Sequence, residues 1–322
     1  MKGTLIVSLD FELFWGMLEV CPLEDYQDNV LGGRAAIPRL LELFEKYGIH
    51  ATWATVGFLF AESYEELAGY FPEQLPTYAD ERLLPYPWFR KIGSTEETAP
   101  CFYAPSLISQ VAKAPGQEIG SHSFSHFYCR EKGQIPEQFR QDMAAAKAIA
   151  RDKGYDITSV VLPRNQTAPE YTRVLRELGF TAYRDEENDW CHKIPWRPLR
   201  RMMKLADVYF PLTGLGGYRP KNENGIWNLM GSRMYKPILK PLRFMERVKL
   251  HRIKAQMRHA AKNGLTFHLW WHPHNVGILT GEHLAQLEEI FVYYRQLREK
   301  YGMESLNMRE AAQAEEEAWN RK

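Results

Sequence analysis

The chain of 322 residues is long enough for one large domain or two average ones, and its 45 % apolar and 25 % charged composition excludes a disordered protein. No apolar run approaches the ~20 residues that cross a bilayer, and the four cysteines form no CxxC pair typical of zinc knuckles or redox sites. The apolar run Thr4–Leu9 is too short for the core of a signal peptide. The sequence therefore predicts a cytoplasmic protein that begins with a buried strand.

The net charge of +1 hides an uneven distribution along the chain. Residues 193–262 contain 17 Lys and Arg but only 3 Asp and Glu. We expect this basic segment to make peripheral contact with the anionic inner membrane face or with a diphosphate-linked lipid, because each Lys or Arg near such a surface contributes about 1 kcal/mol. A solvated amphipathic helix near residues 242–262 is the alternative. No recognition motif accompanies the charge, so we expect no nucleic-acid binding.

Short runs rich in β-branched residues alternate with longer amphipathic stretches. The predicted strands are 4–9, 51–56, 117–120, 158–162, 180–183 and 266–271, with a weak candidate at 208–210 and a short run near 305–306. The predicted helices are 35–46, 136–153, 169–178, 282–301 and about 307–322. Repeated βα order predicts a parallel sheet, and periodicity alone does not decide whether it closes into a barrel. We interpret residues 1–322 as a single domain with two insertions over the active face, at about 70–105 and 192–240.

Candidate metal ligands follow the first and third strands. Asp10 and Glu12 point to the same side if the first strand continues through them, because side chains alternate along a strand. His122 and His126 share one face if their segment turns helically. Two imidazoles and one carboxylate suit zinc or another borderline divalent ion. The same ligand set also occurs in non-haem iron oxygenases, and carboxylates in such a position are otherwise helix caps or solvated groups.

Candidate proton-transfer residues follow two later strands. Arg164 comes after the fourth strand, where its guanidinium could keep Asp10 ionised through paired hydrogen bonds. The strand at 266–271 is followed by the most histidine-rich part of the chain. His268 lies inside this strand and is a core candidate, whereas His272 lies at its carboxyl end, where a general acid would be useful, and His274 could substitute for it.

Four segments together resemble the NodB-type polysaccharide deacetylases over roughly residues 4–310. They are Asp10–Glu12, His122–His126, Pro163–Gln166 and Leu269–His274. The resemblance implies an α/β fold, an irregular (β/α) barrel of about seven strands. It also implies a metal-dependent hydrolase that removes N-acetyl groups from an amino sugar. We expect the substrate to be a cytoplasmic, lipid-linked saccharide intermediate of surface polysaccharide synthesis.

The resemblance also assigns roles to individual residues. The implied ligands of a divalent metal, zinc by preference, are Glu12, His122 and His126. The implied catalytic residues are Asp10 as general base, His272 as acid and Arg164 as the group that orients Asp10. The implied substrate contacts are Trp190, His274 and Trp15. Trp190, with the acids of 185–189, occupies the position of the family's fourth motif.

Three departures from the family pattern accompany this assignment. The usual pair of adjacent aspartates is replaced by an acid, a phenylalanine and a second acid, so Glu12 must be the carboxylate ligand. Arg164 is not followed by the usual proline and glycine, which leaves the oxyanion-stabilising amide unassigned. The His-Pro-His sequence offers two candidate acids, His272 and His274.

The alternative functions are another metal-dependent C–N hydrolase of the same fold, such as a ring-opening amidohydrolase, and a catalytically silent saccharide-binding relative.

Overall fold

The computed structural model describes residues 2–186 and 190–321. The strands in these ranges are β1 Thr4–Phe11, β2 Ala51–Thr55, β3 Gln117–Ser121, β4 Ser159–Val161, β5 Ala182–Arg184, β6 Lys221–Asn222, β7 Trp227–Asn228, β8 Arg233–Met234, β9 Thr266–Trp271 and β10 Glu304–Leu306. The α-helices are α1 Gln27–Tyr47, α2 Tyr64–Ala68, α3 Pro105–Lys113, α4 Pro136–Asp152, α5 Pro169–Glu177, α6 Arg197–Tyr209, α7 Glu246–Asn263, α8 Thr280–Tyr301 and α9 Met308–Asn320.

All ten of these strands belong to one sheet. Its order is β6-β7-β5-β4-β3-β2-β1-β9-β8, and β10 pairs with the first residues of β1. Every pair is parallel except β6 with β7. All five residues of β2 are buried, as is typical of a strand covered on both faces in a parallel α/β sheet. The predicted parallel sheet is confirmed.

A single segment, residues 227–235, connects the two ends of this sheet. The Leu229 amide donates to the Tyr183 carbonyl of β5 at 2.8 Å. A few residues later the Tyr235 amide donates to the Trp270 carbonyl of β9, also at 2.8 Å. The segment therefore bridges strands from opposite ends of the sheet, and the architecture is the irregular (β/α) barrel that the family resemblance implies.

The strand count and the second insertion differ from the predictions. Ten strands are present among the described residues instead of about seven, because β6, β7 and β8 have only two residues each and leave no periodic pattern to detect. These three strands lie inside 192–240, so this segment is in part a component of the sheet. The weak strand candidate at 208–210 is wrong, since residues 208 and 209 form the end of α6. No described helix is long and apolar enough to span a membrane.

The segment predicted as the first insertion packs onto the chain that leaves β1. Phe89 and Phe102 contact Trp15, with ring centroids 5.1 Å away in both cases. The rings of Trp88 and Phe102 also contact the ring of Phe14. These rings bury the turn that follows Asp10, in β1, and Glu12, directly after it, and so hold this turn in place.

Candidate functional site

The carboxyl ends of β1 and β3 bring together the three predicted metal ligands. One carboxylate oxygen of Glu12, Oε2, lies 3.1 Å from His122 Nε2 and 3.0 Å from His126 Nε2. With metal–ligand bonds of about 2.1 Å, two ligands of one ion lie roughly 3.0–3.4 Å apart. Within the described residues, this trio is the group whose ligand atoms all lie within 4.8 Å of one another. The geometry fits a shared divalent ion.

The electrostatics of the trio also fit a metal site. All three side chains are almost completely buried. Burial would raise the pKa of Glu12, but the positive charge of His272 and the hydrogen bonds from His122 and His126 bring it well below its usual value. Burial lowers the pKa of His126 against the opposing effect of Glu12. An ionised carboxylate and a neutral imidazole are the forms that bind a metal.

The two histidines meet through a tight loop rather than a helical turn. Ser123 and His126 have φ of 62° and 60°, a conformation that no α-helix contains. The buried carboxylate of Asp142, on α4, accepts hydrogen bonds from the backbone amides of Phe124 at 2.8 Å and Ser125 at 3.2 Å. The Gly57 amide donates to the Ser123 carbonyl at 2.9 Å. The loop is therefore held by α4 on one side and by the chain after β2 on the other.

Asp10 is paired with a buried arginine from β5. Arg184 Nη2 donates to Asp10 Oδ2 at 2.7 Å, and the guanidinium is fully buried. Burial opposes ionisation of Asp10, but the charge of Arg184, with those of His272 and His122, lowers its pKa below the usual value. The other oxygen, Oδ1, is buried without a hydrogen-bond partner among the described residues. Asp10 is thus ionised, fixed on one side and available as an acceptor on the other.

A hydrogen-bonded chain fixes the orientation of Arg184. Its Nη1 donates to Ser8 Oγ at 2.7 Å, and Ser8 Oγ lies 2.8 Å from His268 Nε2. His268 Nδ1 lies 3.0 Å from the Leu229 carbonyl, so Nδ1 carries the proton and Nε2 accepts from Ser8. Burial lowers the pKa of His268 to about 3, with the nearby charge of Arg184 adding to the effect. The Trp270 ring lies 4.2 Å from the guanidinium carbon and completes the enclosure.

His272 extends from the end of β9 toward both carboxylates. Its Nε2 lies 3.6 Å from Asp10 Oδ2 and 3.5 Å from Glu12 Oε1. Its Nδ1 lies 3.2 Å from Asn275 Oδ1, which accepts a hydrogen bond and so keeps the proton on Nδ1. Nε2 is therefore the nitrogen that can exchange a proton beside the carboxylates.

Comparison with known proteins identifies the fold and family. A family model described as polysaccharide deacetylase matches residues 25–183. Residues 25–183 therefore match the polysaccharide deacetylase family. No curated protein matches the sequence. A Mycobacterium smegmatis protein described as a polysaccharide deacetylase is similar in structure, with a TM-score of 0.61 and 14 % identity over 98 % of this chain and 91 % of that one.

Two further solved structures have the same fold. A Pseudomonas aeruginosa PAO1 protein, also described as a polysaccharide deacetylase, has a TM-score of 0.56 and 14 % identity over 96 % of this chain and 89 % of its own. Puue allantoinase has a TM-score of 0.52 and 16 % identity over 96 % and 88 % of the two chains. At these identities the likeness shows the fold alone, and the fold is that of the deacetylase family.

Arg164 does not contact Asp10, contrary to the expectation from its motif. Arg164 forms ion pairs with Glu19 and with Glu131, the latter at 2.7 Å, and its side chain is 42 % exposed. It lies in a sharp turn after β4, with φ of 55°, that directs it to the rim. The neighbouring Asn165 contributes instead, because its Oδ1 accepts from Arg184 Nε at 2.9 Å. The sequence does not single out Arg184 as a site residue, because a charged residue at the end of a three-residue strand belongs to no recognisable motif.

Two of the predicted substrate contacts are buried. Trp15 is 1 % exposed and donates to the Phe102 carbonyl at 2.9 Å, so it is a core residue that helps to position the turn after Glu12. His274 is 4 % exposed and stacks on His272 at a centroid distance of 4.9 Å, and burial lowers its pKa to about 3. It supports His272 and is not exposed to a substrate.

The fourth-motif prediction is only partly within the described residues. Trp190 is 49 % exposed and donates to the Leu212 carbonyl at 3.1 Å, so it remains available as a surface contact. Asp185 accepts from Thr167 Oγ1 at 2.8 Å. Residues 187–189 lie outside the described residues.

Proposed function

We propose that this deacetylase-family chain is a metal-dependent hydrolase that removes the N-acetyl group of an amino sugar. The observation that carries the proposal is the convergence of Glu12, His122 and His126 beside the Asp10–Arg184 pair. The trio supplies the metal ligands for amide hydrolysis, and the pair supplies the general base, Asp10, together with the arginine that balances its charge. A divalent ion bound there, zinc by preference, would polarise the amide carbonyl and provide a nucleophilic water near neutral pH.

The protein groups divide the proton transfers between them. Asp10 Oδ1 accepts the proton of the attacking water, because it is ionised and has no competing partner among the described residues. His272 Nε2 donates a proton to the departing sugar nitrogen, which leaves as the free amine while acetate is released. Arg184 keeps Asp10 ionised and oriented, and Asn275 fixes the imidazole of His272. His272 Nε2 lies 3.6 Å from Asp10 Oδ2, so the base and the acid can act on the same tetrahedral carbon of the amide.

The proposal is tested by measuring bound metal and acetate release together. The wild-type protein should contain one divalent ion per chain and release acetate from N-acetylated saccharides. His122→Ala should lose both the ion and the activity. Asp10→Asn should retain the ion and lose roughly 10²–10⁴-fold in kcat, the usual contribution of a general base. His251→Ala, an exposed histidine on α7, is the matched control and should change neither.

Other outcomes identify the alternatives. A protein that binds no metal, and whose saccharide affinity is unaffected by Asp10→Asn, would be a silent binding relative. A metal-loaded protein that opens a cyclic amide but releases no acetate would be an amidohydrolase. Either result would refute the deacetylase proposal.

We also propose that the segment from 190 to 248 contacts an anionic membrane surface, and that the substrate is a lipid-linked saccharide. Ten of the 17 exposed large hydrophobic side chains among the described residues lie in this segment, including Trp196 at 65 % and Phe244 at 79 % exposure. On α6, the exposed side chains of Arg201, Met202 and Leu205 share one face by helical spacing. Apolar and basic side chains side by side are typical of interfacial helices. The cytoplasmic location of the protein stays a prediction.

Vesicle sedimentation tests this contact. The protein should sediment with vesicles that contain anionic lipid and remain in solution with neutral ones. Arg201→Glu combined with Leu205→Ser should weaken binding by roughly tenfold or more, since one charge reversal and one lost apolar contact each remove on the order of 1 kcal/mol. Arg258→Glu, an exposed position on α7 in the same basic segment, is the control. Equal sedimentation with neutral vesicles, or no change in the double variant, would contradict the proposal.

A further inference from the structure

A cleft of about 200 Å³ lies next to the Asp10–Arg184 pair. Two residues of its wall contact the arginine directly: Asn165 accepts from Arg184 at 2.9 Å, and the Trp270 ring lies 4.2 Å from the guanidinium carbon. α6 and β8 also contribute to the wall, together with residues of the loops around them. The volume is well above the ~10–15 Å³ that one ordered water requires. A substrate bound at the proposed site therefore has room to extend into this cleft.

Two buried N–H donors in the cleft wall have no acceptor among the described residues. One is Nη2 of Arg233, a residue that is only 6 % exposed, and the other is Nε1 of Trp270. The rest of the Arg233 guanidinium is fixed, since Nη1 donates to Asp207 Oδ2 at 2.7 Å and Nε donates to Gln256 Oε1 at 3.0 Å. A buried donor without an acceptor is unfavourable and uncommon in folded proteins. A small shift of the two side chains would expose both donors to an oxygen-rich ligand in the cleft.

The charges around the cleft favour an anion. Four cationic residues contribute to its wall, namely Arg164, Lys204, Arg233 and Lys236, and two acidic ones, Glu186 and Asp207. Arg164 is paired with Glu19 and Glu131, and Lys204 lies 3.5 Å from Glu186, so the surplus positive charge is at Asp207, which pairs with two arginines. Asp207 is further neutralised from outside the wall, where Arg252 Nη2 donates to its Oδ1 at 2.8 Å. Guanidinium groups bind carboxylate and phosphate oxygens through charge-assisted hydrogen bonds.

We propose that this cleft is a subsite for an anionic oxygen group of the substrate, a phosphate or a carboxylate carried by the unit next to the N-acetylated sugar. Arg233 Nη2 and Trp270 Nε1 donate to the anion, and Lys204 adds charge at the side. The proposal rests on the proposed function in one respect: it makes the cleft part of that enzyme's substrate site. It narrows the substrate class to acidic or phosphorylated amino-sugar saccharides.

Calorimetric titration with inorganic pyrophosphate and with glucuronate tests the subsite and distinguishes the two sources of the anion. The wild-type protein should bind one of the two, and the stronger ligand identifies the phosphate or the carboxylate. Arg233→Gln should weaken binding about tenfold or more. Arg258→Gln is the control, because this arginine is exposed on α7 and does not contribute to the cleft wall. If Arg233→Gln does not fold, Lys204→Gln replaces it, with a loss of about threefold or more.

His122→Ala separates the cleft from the metal centre, which could also bind these anions. Binding in the cleft should persist in His122→Ala and be lost in Arg233→Gln. No binding to the wild-type protein, equal binding by Arg233→Gln, or loss in His122→Ala alone would overturn the subsite. Acetate release is not part of this measurement. A protein that binds pyrophosphate but releases no acetate would support the subsite and refute the hydrolase proposal. A protein that releases acetate but binds neither anion would support the hydrolase proposal and refute the subsite.

Discussion

At the scale of single residues, the protonation of the site depends on one buried ion pair. Asp10 and Arg184 are almost completely inaccessible to water, so each charge depends on the other. Removing one member of such a pair leaves an uncompensated buried charge and typically costs about 3–5 kcal/mol. The residues are 174 positions apart, and three strands lie between β1 and β5 in the sheet, so only the curvature of the barrel brings them together.

We expect Arg184→Gln to lower the free energy of unfolding by about 3–5 kcal/mol, as measured by urea denaturation. Adding Asp10→Asn should recover part of this loss, because the double variant contains no unpaired buried carboxylate. Arg164→Gln is the control. Its ion pairs are partly exposed, so it should cost no more than about 1 kcal/mol. Equal losses for the two arginine variants would show that the buried pair has no special weight.

A second residue-scale prediction concerns Gly16, which follows the ligand Glu12 by one turn. A Cβ atom added at Gly16 would lie 2.2 Å from the Glu12 carboxyl carbon. Gly16→Ala should therefore displace the carboxylate and lower metal affinity by roughly 10–100-fold, a loss typical of damaged support around a ligand. Metal titration of the purified variant measures this. An unchanged affinity, with the fold intact by thermal unfolding, would contradict the predicted displacement of the Glu12 carboxylate.

At the scale of elements, α1 packs unusually close to the chain that carries His272. A Cβ atom at Gly33, inside α1, would lie 2.7 Å from the His274 Cα and 2.8 Å from its backbone nitrogen. Glycine inside a helix is about 1 kcal/mol less favourable than alanine. Its presence here is explained by close packing, which holds residues 273–276 against α1 and so fixes where His272 points.

Helix propensity and packing therefore predict opposite signs for Gly33→Ala. Propensity alone predicts stabilisation by up to about 1 kcal/mol, whereas the clash with backbone atoms predicts destabilisation by about 1–3 kcal/mol. We expect the clash to dominate and kcat to fall, because the backbone beside His272 must shift. Gly281→Ala in α8, where no heavy atom lies within 4 Å of the added Cβ, is the control and should not destabilise the protein. Urea denaturation and the acetate assay measure the two effects.

At the scale of the whole molecule, buried neutral histidines should make the fold sensitive to acid. Burial lowers the pKa of His283 to about 4, with the charge of Lys249 adding to the effect, while its Nδ1 lies 2.9 Å from the Tyr235 hydroxyl. An unfolded histidine takes up a proton below about pH 6.5. Between pH 6.5 and 4 the unfolded state therefore binds more protons than the folded state, and stability falls as the pH falls.

The contribution of His283 is isolated by comparing His283→Gln with the wild type across this pH range. The wild type should lose up to about 1.4 kcal/mol per pH unit more than the variant, because the other groups titrate in both proteins. His251→Gln, an exposed histidine on α7, should behave as the wild type. Parallel stability curves for wild type and His283→Gln would contradict the assignment.

The amino-acid sequence by itself determined the parallel βα order, the resemblance to the deacetylase family, and the segments that supply Asp10, Glu12, His122, His126 and His272. These features are local: strand periodicity, short motifs and strand ends that must meet at one edge of a parallel sheet. Tertiary structure decided the rest. Arg184 takes the place expected for Arg164, because the turn after β4 directs Arg164 to the rim while the side chain of Arg184, on β5, reaches across the barrel to β1. Trp15 and His274 are buried, since burial depends on which distant rings and helices pack over a residue. Three two-residue strands complete the barrel through backbone hydrogen bonds, which leave no trace in a side-chain pattern.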